Sequence, residues 1–181
     1  MAAKPNEPYD IVLANGRVID PETYLDGQMH VGITGDRIAA VSETPLEGKQ
    51  VIDASGLIIS PGFIDLHSHG QYIPTNRMQA CDGVTPALEL EYGSLPISEF
   101  YADCAKEGRP INYGASVAWG AARVATINPE AVTAGTSLLD LEFFAKSMKY
   151  GDWVHNVADD EQVAQIVAQV EEGVKLSLIH I

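Results

Sequence analysis

The chain has 181 residues, of which 46% are hydrophobic and 20% charged, a composition that suits one substantial domain with a smaller one and excludes a disordered or fibrous protein. Lys and Arg total 11 against 25 Asp and Glu, so the formal net charge of -14 disfavours both nucleic acid and membrane surfaces as partners. No apolar run approaches the ~18 residues of a spanning helix and the first residues lack a signal-peptide core, so a cytoplasmic location is expected.

Short β-branched runs separated by turn dipeptides extend from Tyr9 to Ser60 and predict a small antiparallel β module over residues 1–60. Asn15-Gly16 is expected to form a turn between the apolar runs 11–13 and 17–19. Further along, Gly35-Asp36 is a two-residue connection typical of a tight hairpin.

From Pro61-Gly62 onward, short apolar strands alternate with segments of helix length. Successive strands and helices imply parallel strands with right-handed crossovers, and therefore either a doubly wound sheet or the opening of a (β/α)8 barrel. The order of the elements does not choose between these two. We predict strands over 63–67, 83–91 and 111–117, and a helix over 94–107 with Pro96 in its first turn and Gly108 after its end.

The C-terminal third contains one strongly patterned helix. It begins at the acidic run 159–161 and ends at Gly173, with valine and isoleucine at positions 163, 166, 167 and 170. A second helix is predicted over 138–148, followed by an exposed loop around residues 151–153. Residues 176–181 resemble one reading frame of a sequencing adapter and are interpreted as a non-native tail, with a genuine short strand as the alternative.

Two cysteines cannot build a disulfide framework. Cys81 and Cys104 lie in no Cys-x-x-Cys pair and beside no histidine. We therefore predict that both are small buried hydrophobic residues.

The most informative motif is Asp65-Leu66-His67-Ser68-His69, at the carboxyl end of a predicted strand. Residues two apart on a strand point to the same side, so His67 and His69 can converge on one cation, with nitrogen atoms ~2.0 to 2.1 Å from a zinc ion. In parallel α/β folds, ligands gather at this end of the strands. For the pair taken alone, two structural or solvated histidines are the alternative.

Two glutamates alternate with leucines on the next predicted strand. Glu91 lies near its carboxyl end, where an inward charge is costly unless it is paired or bound to metal, so we predict Glu91 as a further metal ligand. Glu89 lies one layer deeper and is expected to support the ligands from behind. Exposure to solvent, or a bond to a neighbouring strand, is the alternative for both.

The β module, the Pro61-Gly62 entry, the apolar strand and the Asp-x-His-x-His motif together resemble the amidohydrolase superfamily. Within it, the run from Tyr9 to Pro21 and the run from Gly35 to Val41 are similar to the N-acyl-D-amino-acid deacylase branch, which includes D-aminoacylases and N-acyl-D-glutamate deacylases. The resemblance implies a truncated metal-dependent (β/α)8, or TIM-type, barrel over residues 61–175. Residues 1–60 would then be part of a β-sandwich domain.

The resemblance also implies a divalent metal ion, zinc in the first place, and a small-molecule N-acyl amino acid or related amide as substrate. Similar deacylases carry a histidine where this chain has Trp119, and some carry a cysteine ligand near the position of Tyr92. We predict Arg123 as a ligand of a substrate carboxylate, with a surface or helix-capping role as the alternative. The remaining three histidines, His30, His155 and His180, have no partner pattern and are interpreted as incidental.

The function implied is hydrolysis of a non-peptide amide bond, with deacylation of an N-acyl-D-amino acid as the leading hypothesis. A cyclic-amide hydrolase of the hydantoinase or dihydroorotase type, and a metal-free relative without activity, are the alternatives. The family's catalytic aspartate and later histidines lie on strands beyond this chain. No catalytic residue is therefore assigned, and the truncated chain is expected to be inactive.

Overall fold

Residues 7–131 and 141–176 are described by a computed structural model, in which the chain divides into two units between Pro61 and Gly62. The first unit is built on a five-stranded sheet in the order β3-β2-β1-β4, with β5 also paired to β1. Its strands are β1 (Tyr9–Asp20), β2 (Leu25–Thr34), β3 (Arg37–Ser42), β4 (Gly48–Asp53) and β5 (Ile58–Ile59).

The sheet of the first unit is mixed, so the prediction of an antiparallel module is only partly right. The pairs β1–β2 and β2–β3 are antiparallel, whereas β4 and β5 both run parallel to β1. The predicted hairpin is confirmed: Gly35 and Asp36 connect β2 to β3, and Gly35 has a φ of +59°. That left-handed conformation carries no steric cost for glycine.

The predicted turn at Asn15-Gly16 is wrong, because β1 continues through it. The register of β1 against β2 shifts between Leu13 and Gly16, which makes the dipeptide a β-bulge. Asn15 adopts a φ of +62°, a conformation that asparagine tolerates better than most residues. A Cβ atom on Gly16 would lie 2.4 Å from Cδ1 of Ile59, so a larger residue here would require the Ile59 side chain to shift.

The second unit contains a three-stranded parallel sheet in the order β6-β7-β8. The crossovers pass through one helix each, as the alternating pattern predicts. Among the residues that the structure describes, four further helices and a short 3-10 turn follow the last strand. The strands are β6 (Phe63–Asp65), β7 (Val84–Ser94) and β8 (Asn112–Val117), and the helices are α1 (Ile73–Cys81), α2 (Ile97–Glu107), α3 (Trp119–Ile127), α4 (Leu141–Tyr150), α5 (Asp152–His155) and α6 (Asp160–Val174), with the 3-10 turn at Pro129–Ala131.

Two predicted boundaries shift around the parallel strands. β6 ends at Asp65, two residues before the predicted end, so both motif histidines lie beyond the strand. β7 runs on to Ser94, and α2 begins only at Ile97. Pro96 explains the later start, because proline disfavours the helical conformation for the residue before it and lies here just before the helix, not in its first turn.

Three helices were not predicted. α1 lacks a helical spacing of apolar residues, and Pro74 at its start is its main sequence signal. α3 buries small side chains that carry little periodic contrast. α5 replaces the predicted exposed loop at 151–153: Trp153 packs against the core, and its indole Nε1 donates to the Ser147 carbonyl at 2.9 Å. α4 covers the predicted helix 138–148 from Leu141 onward. Residues 138–140 of this prediction and residues 177–181 of the predicted tail lie outside the described residues.

The core of the second unit forms where α3, α4 and α6 meet the carboxyl end of β8. The predicted helix α6 is confirmed, with a capping box in which Asp159 accepts from the Gln162 backbone N–H at 2.8 Å and the Gln162 side chain accepts from the Asp159 N–H. The buried residues are Leu95, Val117, Ala118, Ala121, Ala122, Val124, Ala131 and Phe143, and Trp153, Ile166, Val170 and Val174 pack against them.

The two cysteines have different environments. Cys104 is buried on α2 as predicted, and burial raises the pKa of its thiol. Cys81, at the end of α1, is exposed, so the prediction for this residue is wrong. None of the helices in the described ranges combines the length and apolar character needed to cross a bilayer.

The prediction that Gly173 ends α6 is wrong, because the helix continues to Val174. Gly173 is buried, and it allows α6 to pack closely on β8. A Cβ atom at this position would lie 2.3 Å from Cγ2 and 2.9 Å from Cβ of Val117. Val117 is β-branched and stiff, so it cannot move aside cheaply.

We expect Gly173→Ala to lower the free energy of unfolding by about 1 to 3 kcal/mol, because overpacking outweighs the gain of about 0.5 to 1 kcal/mol that alanine normally gives inside a helix. Denaturant unfolding measures the effect. Val117→Ala in the same chain should recover part of the loss. The double variant should then lose less free energy of unfolding than the two single variants lose together. A Gly173→Ala chain at least as stable as the parent would contradict this packing.

Candidate metal centre

Three side chains converge near the carboxyl ends of β6 and β7: His67 and His69 follow the end of β6, and Glu91 lies within β7, three residues before its last residue. His67 Nε2 lies 3.0 Å from His69 Nε2, and Glu91 Oε2 lies 2.5 Å from the first nitrogen and 3.1 Å from the second. One potential ligand atom from each of the three residues lies within 4.8 Å of the others. The structure therefore brings together the three residues that the sequence predicts as metal ligands.

The spacing and the chemistry of this cluster fit a zinc ion. Ligands of a tetrahedral zinc ion at ~2.0 to 2.1 Å lie about 3.3 Å from one another. The separations of 3.0 and 3.1 Å here are slightly shorter, and the 2.5 Å between His67 Nε2 and Glu91 Oε2 would have to lengthen around an ion. Imidazole nitrogen and carboxylate oxygen are both ordinary zinc ligands. The rings of His67 and His69 are nearly perpendicular, at 80°, so their two nitrogen atoms approach from different directions.

The two histidines owe their position to a short loop and not to strand alternation. Asp65 ends β6, and its carboxylate accepts from the His67 backbone N–H at 3.1 Å. The next N–H, of Ser68, donates to the Leu88 carbonyl on β7 at 3.0 Å. An isolated bridge between His67 and Glu89 continues the contact with β7. The predicted convergence is present, but it is produced by bonds from the loop to its neighbouring strand.

Glu89 contacts the cluster through His69. It is fully buried, and its Oε2 lies 2.7 Å from His69 Nδ1. Its other oxygen accepts from the backbone N–H groups of Glu91, Tyr92 and Gly93, at 3.0, 2.8 and 3.4 Å. These four contacts satisfy a buried carboxylate, which would otherwise carry a large desolvation cost.

The contact with Glu89 determines how His69 can act. The hydrogen bond to Glu89 raises the pKa of the His69 imidazole, with the charges of Glu89 and Glu91 acting in the same direction and burial against it. When Nδ1–H donates to Glu89, the lone pair of Nε2 points at the cluster, which is the tautomer that a metal ligand needs. A metal ion has to displace any proton held on Nε2.

Tyr92 and Gly93 complete this end of β7. The ring of Tyr92 stacks on His69, with centroids 4.7 Å apart and planes inclined by 14°. Gly93 has a φ of +72°, and a Cβ atom there would lie 2.5 Å from the Ser116 carbonyl oxygen on β8. The sequence identifies Tyr92 only as a substitute for a family cysteine, and its stacking contact could not be anticipated from spacing.

The structure does not bring Arg123 into this cluster. The guanidinium lies on α3, where Nε donates to the Trp153 carbonyl and one terminal nitrogen donates to the Asn156 carbonyl, both at 2.6 Å. These bonds tie α3 to α5 and account for the arginine without a substrate. Trp119, at the predicted family histidine position, begins α3 and is 67% exposed.

The fold is similar to that of two kinds of solved structure. An N-acyl-D-glutamate deacylase from Bordetella bronchiseptica, crystallised with zinc and a phosphonate inhibitor, matches 93% of this chain with a TM-score of 0.70 and 19% identity. A D-aminoacylase described as defining a subset of amidohydrolases matches 93% of the chain with a TM-score of 0.68 and 21% identity. The chain has the amidohydrolase fold. The predicted resemblance is thereby confirmed at the level of the fold.

Sequence similarity extends to a further amidohydrolase type. An allantoinase from Salmonella choleraesuis (strain SC-B67) is 35% identical over 100 residues, which cover 49% of this chain. No protein-family model matches the chain. The chain spans about a fifth of the length of such curated relatives, at 21%, and 37% of the two deacylase and aminoacylase chains.

The two glutamates of β7 offer a direct test of this geometry. Glu89→Leu leaves three backbone N–H groups and His69 without their acceptor, so it should lower the free energy of unfolding by about 3 to 5 kcal/mol. Glu91→Leu is the matched control: its side chain is 48% exposed, and the change should cost less than about 1 kcal/mol. Equal losses for the two variants, measured by denaturant unfolding, would argue against a buried carboxylate at Glu89.

Proposed function

We propose that this chain carries the first part of the metal centre of a hydrolase that cleaves non-peptide amide bonds. The convergence of His67, His69 and Glu91 is the observation that carries the proposal. The buried carboxylate of Glu89, which orients His69, gives it further support, because such outer contacts are a regular feature of metal-binding histidines. The amidohydrolase fold is consistent with the same chemistry.

Zinc is the ion that we assign to this site. It suits the mixed nitrogen and oxygen donors, and the similar Bordetella bronchiseptica enzyme was crystallised with zinc. Once bound, such an ion lowers the pKa of a water molecule and polarises a carbonyl group. His67, His69 and Glu91 would hold the ion, and Glu89 would keep the His69 ring in place. The proton acceptor of the reaction is expected on a strand beyond this chain.

A truncated (β/α)8 barrel is the architecture that best accounts for β6. Phe63 and Ile64 are adjacent, so they point to opposite faces of the strand, and both are more than 60% exposed. Strands that are apolar on both faces belong to parallel sheets covered on both sides. Additional strands and helices of a complete barrel would cover them. By the same resemblance, the sheet of residues 1–60 would be part of a β-sandwich.

An N-acyl-D-amino acid is the substrate that we propose for the complete enzyme, on the basis of the fold shared with the deacylase and the D-aminoacylase. A ring amide is the second candidate, favoured by the 35% identity to an allantoinase. Binding of a substrate carboxylate by Arg123 remains a prediction, for which the two carbonyl contacts of its guanidinium give no support.

The metal site can be tested on the 181-residue chain. We expect it to bind one Zn²⁺ ion in competition with a chromophoric chelator, because three donors already converge. Changing both His67 and His69 to Ala should abolish this binding, whereas His155→Ala, which removes an exposed histidine on α5, should leave it unchanged. A parent chain that binds no Zn²⁺, or a double variant that binds as tightly as the parent, would favour the metal-free alternative.

Activity should depend on the rest of the barrel. We expect the 181-residue chain to hydrolyse neither N-acetyl-D-glutamate nor hydantoin, because it supplies too few ligands and no proton acceptor. A protein that continues the chain to the length of its relatives should hydrolyse N-acetyl-D-glutamate and lose this activity when a chelator removes the metal. Faster hydrolysis of hydantoin would select the ring-amide alternative. Turnover by the short chain itself would contradict this division of the site.

A further inference from the structure

The loop that carries His67 and His69 is tied down by a network of buried polar side chains. Gln71, 5% exposed, donates from its side-chain nitrogen to the Ser68 carbonyl at 2.9 Å. Gln79 on α1 donates to the Ser68 hydroxyl at 2.8 Å and to the Asp65 carboxylate at 3.1 Å. The backbone and side-chain groups on either side of His67 are therefore held by hydrogen bonds.

The residues just after His69 are held by a second part of the network. Asn76, fully buried on α1, donates from Nδ2 to the Gly70 carbonyl at 3.3 Å. Arg109, from the connection between α2 and β8, donates from one terminal nitrogen to the Gln71 carbonyl and, at 3.1 Å, to Oδ1 of Asn76. One guanidinium thus joins the loop to the helix that follows it.

Arg109 is an unusual residue for a purely structural contact. Its side chain is only 6% exposed, and its other terminal nitrogen forms an ion pair with Glu107 at 2.8 Å. Burying a guanidinium is costly, and an apolar residue could fill the same space. The rigid, planar guanidinium, in contrast, can donate to acceptors on two different segments and so fix the distance between those segments.

We propose that Arg109 and Asn76 are positioning residues of the metal centre, which act through the Gly70 and Gln71 carbonyls to keep the His67–His69 loop in the shape that binds metal. This inference rests on the proposed function. The loop lies beyond the end of β6 and has few ladder bonds of its own, so without these contacts it would have to be ordered when metal binds. That ordering would weaken the affinity.

Four single variants of the 181-residue chain test the role of this network. Arg109→Met removes the donors, and Arg109→Lys restores one of them. Asn76→Asp keeps an acceptor for Arg109 and the shape of the side chain but removes the donor to the Gly70 carbonyl and to Oε1 of Gln79, which lies 3.0 Å from Asn76 Nδ2. Arg77→Met, which changes an exposed arginine on the same helix, is the matched control.

The readouts are the dissociation constant for Co²⁺ and the visible absorption spectrum of the bound ion, with far-UV circular dichroism recording the fold. We expect Arg109→Met and Asn76→Asp to bind Co²⁺ about 10- to 100-fold more weakly, with a changed spectrum. Arg109→Lys should recover part of the affinity, and Arg77→Met should equal the parent. If Arg109→Met fails to fold, Asn76→Asp still decides the question.

The outcomes separate this inference from the proposed function. A parent chain that binds no Co²⁺ would overturn the metal site itself. A parent that binds, together with folded network variants of unchanged affinity and spectrum, would leave the metal site in place and overturn the positioning role. Variants that lose thermal stability but keep affinity and spectrum would assign the network to stability alone, which also overturns the inference.

Discussion

The arrangement of the second unit depends on one buried carboxylate. Glu89 has no access to solvent, and a charge in such a place must find partners within the protein. Three successive N–H groups at the end of β7 and the imidazole of His69 supply them. The same contacts hold the end of β7 around the Glu89 carboxylate and fix the orientation of the His69 ring. The conformation of this strand end and the arrangement of the candidate site therefore depend on the same residue.

Much of the site could be predicted from the sequence because its residues follow simple periodicities. His67 and His69 are two apart, as are Glu89 and Glu91, and both pairs lie at the ends of apolar segments. What the sequence could not give is the loop after Asp65, because its shape depends on hydrogen bonds to β7 and α1 that have no signature in local spacing. The stacking of Tyr92 on His69 is likewise a contact between distant segments.

The fold was predictable to a similar extent. α6 shows a regular apolar stripe and a capping box, and it lies where the pattern places it. Asn15-Gly16 has the composition of a turn but forms a bulge, because the pairing of β1 with β2 and β5 overrides the local preference of the dipeptide. The sequence pattern does not predict α1 or α3, because in neither helix do apolar residues recur about every 3.6 positions with polar residues between them.

The exposed strand β6 has a thermodynamic consequence. Phe63 and Ile64 precede Asp65, whose carboxylate accepts from the backbone N–H of His67 in the loop that carries the two histidines. Any surface that covers this strand also restrains the loop, and any ion that orders the loop also favours the covered strand. In the proposed barrel with the proposed metal site, each would by linkage raise the apparent affinity of the other, so covering of β6 and binding of the metal would be mutually cooperative.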